Sequence, residues 1–203
     1  MTKGKYNTGI EFLKNNDEVI NKLIKKIGYV NFKPNSNHFE VLTSSILSQQ
    51  LSVKAYNSIK KRVLNKIKKI SPERILSIND KEILDCGVSS NKLSYIKEIA
   101  GSVLNKKIDF NRFSNLENHD IIDILIKQKG IGPWTSKMFL ISSLGRLDVI
   151  PFEDVGLQNS IKKFYRLDKK PTEKKILQIS NKWGQYSSIS SIYLWRGLDN
   201  KVE

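Results

Sequence analysis

Cysteine is nearly absent: Cys86 is the only one in 203 residues. One thiol excludes an internal disulfide and an iron–sulfur cluster held by four cysteines of this chain. It fits a reducing compartment. Histidine is almost as scarce, and His38 and His119 stand isolated, with no zinc-ligand spacing around either. No apolar run approaches the roughly 20 residues of a membrane span. Met1-Thr2-Lys3-Gly4-Lys5 lacks the apolar core of a signal peptide, so the chain is expected not to be secreted. Acidic residues are outnumbered, 20 against 35 Lys and Arg, for a net charge of +15. Part of that excess reflects a composition rich in Lys, Asn, Ile and Ser. The basic residues nevertheless recur on amphipathic segments (Lys54, Lys60, Lys61, Arg62, Lys66, Lys68) and not in one tail. That distribution points to a folded basic face and a polyanionic partner, most simply nucleic acid.

A chain of this length suits one domain or two small lobes, and buries roughly 70% of its unfolded surface without staples. The apolar period is helical nearly throughout. Ile10, Leu13, Val19, Leu23, Ile24 and Ile27 predict a first long helix or helix pair, and Ala55, Ile59, Val63, Leu64 and Ile67 another. Ser71-Pro72-Glu73 reads as an N-cap followed by Pro at the first helical position. Asp80 is expected to cap the short helix that ends at Gly87. A polar connector at 109–118 leads into Ile121, Ile122, Leu125 and Ile126. No alternating strand and no internal repeat is found. The expected fold class is all-α.

The segment Ile126-Lys127-Gln128-Lys129-Gly130-Ile131-Gly132-Pro133-Trp134-Thr135 joins two helical stretches through a Gly-x-Gly turn. Glycines there permit a tight turn and close approach of another backbone. Free N–H groups and the dipole of the next helix make an anion site, and Lys127, Lys129 and Lys137 add charge beside it. Such contacts grip a DNA backbone without reading its sequence. An ordinary helix–turn–helix corner is the plainer reading of Gly-x-Gly alone. Eighteen residues after Pro133 comes Pro151-Phe152-Glu153-Asp154. Asp154 either only caps the helix holding Leu157 and Ile161, or does chemistry as well; a cap holds a carboxylate still, so the two are compatible.

Taken together, these blocks resemble the helix–hairpin–helix DNA glycosylase superfamily, in its alkylated-base branch (3-methyladenine DNA glycosylase II type). Phe39-Glu40-x-Leu42 with Ile46-Leu47-Ser48-Gln49-Gln50-Leu51-Ser52 is similar to that branch's early block. Gly87-Val88-Ser89 with Lys92 matches a second segment, and Gly130 to Thr135 the hairpin. Asp148-Val149-Ile150-Pro151-x-x-Asp154-x-Gly156 matches the catalytic loop, and Trp183 to Trp195 the C-terminal helix. The resemblance covers about residues 36–198 in the expected order. One departure stands out: the family's Trp-x-Pro-Tyr-Arg-Ser is here Trp183-Gly184-Gln185-Tyr186-Ser187-Ser188.

The resemblance implies a two-lobed helical fold with the active site in the cleft between lobes. One lobe, about 36–112, would carry the wedge. The other, 113–198, would carry hairpin and catalytic loop, with the N-terminal helix 9–27 packed on it. It implies Asp154 as the catalytic carboxylate, stabilising positive charge on the sugar as the C1′–N bond breaks. Glu153 reads as solvated and Asp148 as a loop brace. Gln49, Gln50 and Leu51 would form the wedge that fills the gap left by a flipped base. Trp134 and Trp195 would line the base pocket, where an aromatic face attracts a cationic alkylated purine; core packing is the plainer fate of a tryptophan, and is expected for Trp183. Gly130, Gly132, Lys127, Lys129, Thr135 and Lys137 would meet the DNA backbone. Family members that also nick the strand place a Lys where this chain has Trp134, so no amine is available there for a Schiff base and a monofunctional hydrolase is implied. No cofactor is required; Na+ or K+ at the hairpin would rest on the carbonyls of Ile126, Gln128 and Ile131. The implied partner is duplex DNA with damaged bases, bound by a monomer in the cytoplasm with the nucleoid or in a nucleus, and served by enzymes that process abasic sites. A same-fold glycosylase for uracil, hypoxanthine or an oxidised purine is the neighbouring reading, and a non-catalytic hairpin DNA-binding protein the other.

Overall fold

The helical spacing folds as twelve α-helices and two 3-10 segments, with no strand among the described residues. The structure is a computed structural model that describes residues 3–202. Met1 and Thr2, which open the stretch read for a signal peptide, lie outside the described residues. The helices are α1 (Lys3–Asn16), α2 (Glu18–Ile27), α3 (His38–Ser48), α4 (Val53–Ile67), α5 (Pro72–Ser77), α6 (Asp80–Leu84) and α7 (Ser90–Leu104). After a 3-10 turn at Phe110–Asn115 come α8 (Asn118–Ile126), α9 (Pro133–Ser142), α10 (Val155–Phe164) and α11 (Glu173–Ser180). A second 3-10 turn, Asn181–Tyr186, leads into α12 (Ser187–Asp199). No described helix is long and apolar enough to cross a membrane.

Two compact units result. One runs to Pro34 and resumes at Leu140; Asn35–Phe139 form the other. The expected boundary at 112/113 is therefore displaced, and the hairpin belongs with α3 to α7. The reason is packing. Phe113, 1% exposed, lies in an aromatic cluster with Phe110 and Phe139 at centroid distances of 5.6 and 6.0 Å, and the His38 ring lies tilted 5.3 Å from Phe110. These contacts tie the connector and Phe139 of α9 to α3. The boundary then falls inside α9, where no shift of composition announces it.

In the unit containing both chain ends, α12 is almost wholly buried from Ser187 to Leu194. Helices α1, α2 and α10 pack on it. Small residues let them approach: a Cβ on Gly197 would come within 2.8 Å of Leu23 and 2.9 Å of Phe164. The first apolar run divides into α1 and α2 at Asp17, which is 3% exposed. Its Oδ1 accepts from the N–H groups of Val19 (2.9 Å) and Ile20 (3.1 Å), capping α2. Its Oδ2 accepts from Tyr165 Oη at 2.6 Å and Trp183 Nε1 at 3.0 Å. Burial is the main cause that pushes the Tyr165 hydroxyl far above its ordinary range, with the Asp17 charge adding to it. Trp183, 0% exposed, is a core residue as expected.

The caps follow their chemistry. Ser71 accepts from Arg74 N–H with Pro72 opening α5, as the spacing predicts. At α6 the cap is Asn79, which accepts from Lys81 N–H, and Asp80 is the first helical residue instead of the cap. Cys86 is buried and free.

Removing the Asp17 carboxylate would take an acceptor from four donors, of which Trp183 Nε1 keeps Tyr165 Oη at 3.2 Å; each donor left unpaired costs about 1–3 kcal/mol when buried. Asp17→Ala is expected to destabilise the protein by about 3 kcal/mol or more, measured as a lowered midpoint of denaturant unfolding. A loss below about 1 kcal/mol would show that the network carries little of the packing.

Candidate active site

Asp154 stands at the N-cap of α10, with φ −70° and ψ 119°. The loop before it is tight: Asp154 N–H donates to Pro151 O at 2.9 Å, and Phe152 N–H to Ile150 O at 3.1 Å. The side chain of Gln158 reaches back to Phe152 O at 2.7 Å. Ser188, at the start of α12, braces the same loop. Its hydroxyl accepts from Val149 N–H and donates to Val149 O, both at 3.1 Å, and its N–H donates to Leu147 O at 2.9 Å. Asp148 is exposed, so the bracing expected of it falls to the backbone of Val149 and to Ser188. Glu153 is half-buried and not simply solvated.

One carboxylate oxygen of Asp154 takes two donors. Oδ1 accepts from Leu157 N–H at 2.6 Å and from Trp195 Nε1 at 2.9 Å. Trp195, half-buried on α12, thus meets the carboxylate with its indole edge. This differs from a role as pocket wall alone. Gly156 makes the room: a Cβ there would lie 3.1 Å from Asp154 Oδ1 and 3.5 Å from Trp195. A carboxylate fixed in this way can face developing positive charge without having to reorganise.

The remaining candidates belong to the other unit, Asn35–Phe139. Gly130 lies at φ +83°, where a side chain is strained, and a Cβ on it would come 2.5 Å from the Tyr95 ring. Gly132 is different, since a Cβ there would meet nothing within 4 Å. Its carbonyl accepts from Ser136 N–H at 3.0 Å and Ser136 Oγ at 3.1 Å, closing the first turn of α9. Lys127 and Lys129 are exposed, with Lys129 3.7 Å from Glu98, and Lys137 is half-buried. Trp134 is 36% exposed. Thr135 is 3% exposed, which withdraws its side chain from the surface expected of a backbone contact. It shares the buried face of α9 with Ser136, Phe139 and Leu140, as the helical period dictates.

The loop between α3 and α4 also divides. Gln49 caps α3 and sends its side chain to the hairpin, where Nε2 donates to Gly130 O at 2.8 Å. It is therefore engaged, unlike a free wedge residue. Gln50 takes φ +56° and is exposed, and Leu51 is 37% exposed. Lys92 Nζ donates to Leu47 O at 2.9 Å and Gln49 O at 2.7 Å. Neither this clamp nor the Ser188 brace was read from the sequence; both are aimed at main-chain carbonyls or amides, which carry no sequence signature.

Among the described residues no group of three or more His, Cys, Asp or Glu could hold a metal ion. In the hairpin, Gln128 N–H donates to Leu125 O at 3.0 Å and Ile131 N–H to Gln128 O at 3.1 Å. A set of uncharged carbonyl oxygens in such a turn suits a hard monovalent cation better than a transition metal.

A hairpin between helices in a basic all-α chain, followed by a helix-capping aspartate, is the build of a protein that works on DNA. Residues 43–185 match the model of the HhH-GPD superfamily base excision DNA repair protein, and the chain belongs to that family. DNA-3-methyladenine glycosylase 1 of Schizosaccharomyces pombe is 33% identical over 193 residues, 89% of this chain and 82% of that protein. A solved structure of the 3-methyladenine DNA glycosylase of the same yeast, in complex with abasic DNA, superposes with a TM-score of 0.81. The two are 31% identical over 95% of this chain and 97% of that one. In a Bacillus subtilis relative, 34% identical over 128 residues, the match takes in 63% of this chain and only 45% of that protein. The family match ends before Trp195, so its bond to Asp154 comes from the structure alone.

The two hairpin glycines are expected to behave differently. Gly130→Ala meets left-handed strain on the order of 1–3 kcal/mol and the Tyr95 ring. It should lower the thermal midpoint by several degrees, whereas Gly132→Ala should leave it in place; equal midpoints for the two variants would contradict this reading.

Proposed function

We propose that this protein is a monofunctional DNA glycosylase of base excision repair that removes alkylated purines, 3-methyladenine and 7-methylguanine, and leaves an abasic site. The observation that carries the reading is the Asp154 carboxylate, which lies in the stretch that the family model matches, caps α10 and is held at Oδ1 by two donors. The relatives' names supply the lesion class, and the basic hairpin supplies the grip on duplex DNA.

The chemistry is hydrolysis of the C1′–N bond. The bond breaks with its electron pair leaving on the base, and positive charge spreads over the sugar ring. Asp154 stabilises that charge. Water adds to C1′, and its proton passes to the carboxylate or to solvent. An alkylated purine already carries positive charge and leaves readily, so the pocket needs modest attraction. The exposed face of Trp134 supplies it, worth on the order of 1–2 kcal/mol for a desolvated cation over an indole. Trp195 acts through Asp154, whose Oδ1 its indole N–H holds. No lysine stands at Trp134, so strand cleavage through a Schiff base has no amine to start from.

Gln50 and Leu51 form the wedge that fills the space of the flipped base, and Gln49 anchors it. Gly130, Gly132, Lys127, Lys129 and Lys137 meet the phosphates. The open space around Gly132 supports a close approach of the DNA backbone there. The carbonyls of Ile126, Gln128 and Ile131 would hold Na+ or K+, which would add positive charge beside a phosphate. The protein acts as a monomer wherever the cell keeps its DNA, and its abasic product passes to enzymes that cleave at such sites.

The test is release of free bases from methylated duplex DNA. The parent is expected to release 3-methyladenine and 7-methylguanine, leaving strands intact until hot alkali. Asp154→Asn should lower the rate by about 100-fold or more, and Trp195→Phe by about tenfold through the lost donor. No release from this DNA, together with silence across uracil, hypoxanthine and oxidised-purine substrates, would favour a non-catalytic DNA-binding protein.

A further inference from the structure

Three elements of the Asn35–Phe139 unit are joined by hydrogen bonds at one point. Helix α3 ends at Ser48, and its last carbonyls lack helical partners. Lys92, in the first turn of α7, reaches across and donates from Nζ to Leu47 O at 2.9 Å. A lysine that only capped α3 would stop there. Nζ also donates to Gln49 O at 2.7 Å, one residue past the helix and into the loop. Gln49 then continues the chain of bonds, its amide donating to Gly130 O in the hairpin at 2.8 Å. Partial burial pushes the Lys92 ammonium down from the ordinary lysine range, an expense the two carbonyls offset.

The loop so held is short. Only residues 49–52 separate α3 from α4, which begins at Val53 with Ser52 as its cap. Leu51 N–H donates to Ser48 O at 3.2 Å, and Gln50 turns through φ +56°, a strained region for a side chain other than glycine. Strain of this kind persists only where the surroundings fix the backbone. Here the fixing comes from Lys92 on one side and the hairpin carbonyl on the other. The exposed side chains of Gln50 and Leu51 are what the bonds leave projecting.

We propose that Lys92 and Gln49 are positioning residues that lock the 49–52 loop to the hairpin, so that Gln50 and Leu51 enter the duplex as the hairpin seats on the backbone. This rests on the reading of that loop as the wedge. Lys92 never touches DNA in this role. It sets where the wedge stands relative to Gly130, and thereby how much of the hairpin's grip is converted into an opened base pair. Both partners it uses on the loop side are main-chain oxygens, so any residue able to supply a cationic donor at that distance should serve.

The experiment compares affinities for two duplexes, one undamaged and one carrying a tetrahydrofuran analogue of an abasic site, by fluorescence anisotropy. Parent, Lys92→Met, Lys92→Arg, Gln49→Ala and the Lys92→Met/Gln49→Ala double variant are measured, with thermal midpoints alongside. The parent should prefer the abasic duplex, whose gap accepts the wedge. Lys92→Met should cut that preference about tenfold, Lys92→Arg should restore most of it, and the double variant should lose less than the sum of the two single losses. Preference kept at the parental value in Lys92→Met overturns the proposal. Affinities for both duplexes falling in parallel, with their ratio preserved, also overturn it and assign Lys92 a purely structural part. A parent without preference means that the loop does not insert. Base release decides the glycosylase reading separately: a parent that shows the preference but releases no base loses the enzyme and keeps the lock.

Discussion

Asp154 Oδ1 accepts from the Leu157 amide at 2.6 Å and the Trp195 indole at 2.9 Å. Much of the surrounding structure serves those two bonds. The amide exists as a donor because α10 begins there and its first N–H groups have no helical acceptor. The indole reaches the carboxylate because α12 is anchored by its buried stretch from Ser187 to Leu194 and Gly156 leaves no Cβ between them. The loop before Asp154 is stitched to α12 by Ser188, so the donor and the acceptor are anchored to the same helix. A carboxylate held like this costs little further entropy when charge appears opposite it, which is the physical content of preorganisation.

A second polar hub keeps that helix in place. Asp17 gathers the start of α2, Tyr165 after α10 and Trp183 before α12 around one buried side chain. Buried carboxylates persist when every lone pair has a donor, and here four donors meet two oxygens. The hub and the Asp154 site repeat one device: an aspartate caps a helix with one oxygen and also takes a tryptophan N–H. In the hub the donors divide between the two oxygens; at Asp154 the Leu157 amide and the Trp195 indole meet on Oδ1.

The helical class, the hairpin and the aspartate after it were legible because they depend on period, glycine and capping chemistry, all local. Asp154 as cap followed from its place before Leu157 and Ile161. What escaped the sequence depends on tertiary contact. The role of Asp17 depends on Tyr165 and Trp183, which arrive from 148 and 166 residues away. Trp195 reads as an apolar face, and its hydrogen bond is visible only once α12 is packed. Thr135 belongs to a motif that suggested DNA contact, yet the period of α9 turns it inward. Gln49 and Lys92 spend their polar atoms on main-chain carbonyls, which no pattern of side chains announces. The boundary at 139/140 sits inside a helix, so composition could not mark it.

Position as well as charge is the central claim for Asp154, and Asp154→Glu tests it most directly. Glutamate keeps the negative charge but adds a methylene that moves the oxygens away from the Leu157 and Trp195 donors. The single-turnover rate of base release from methylated duplex DNA should fall to within about tenfold of the Asp154→Asn rate, because preorganised placement supplies much of the stabilisation. A glutamate variant that works near the parental rate would contradict the claim and leave charge alone as the requirement.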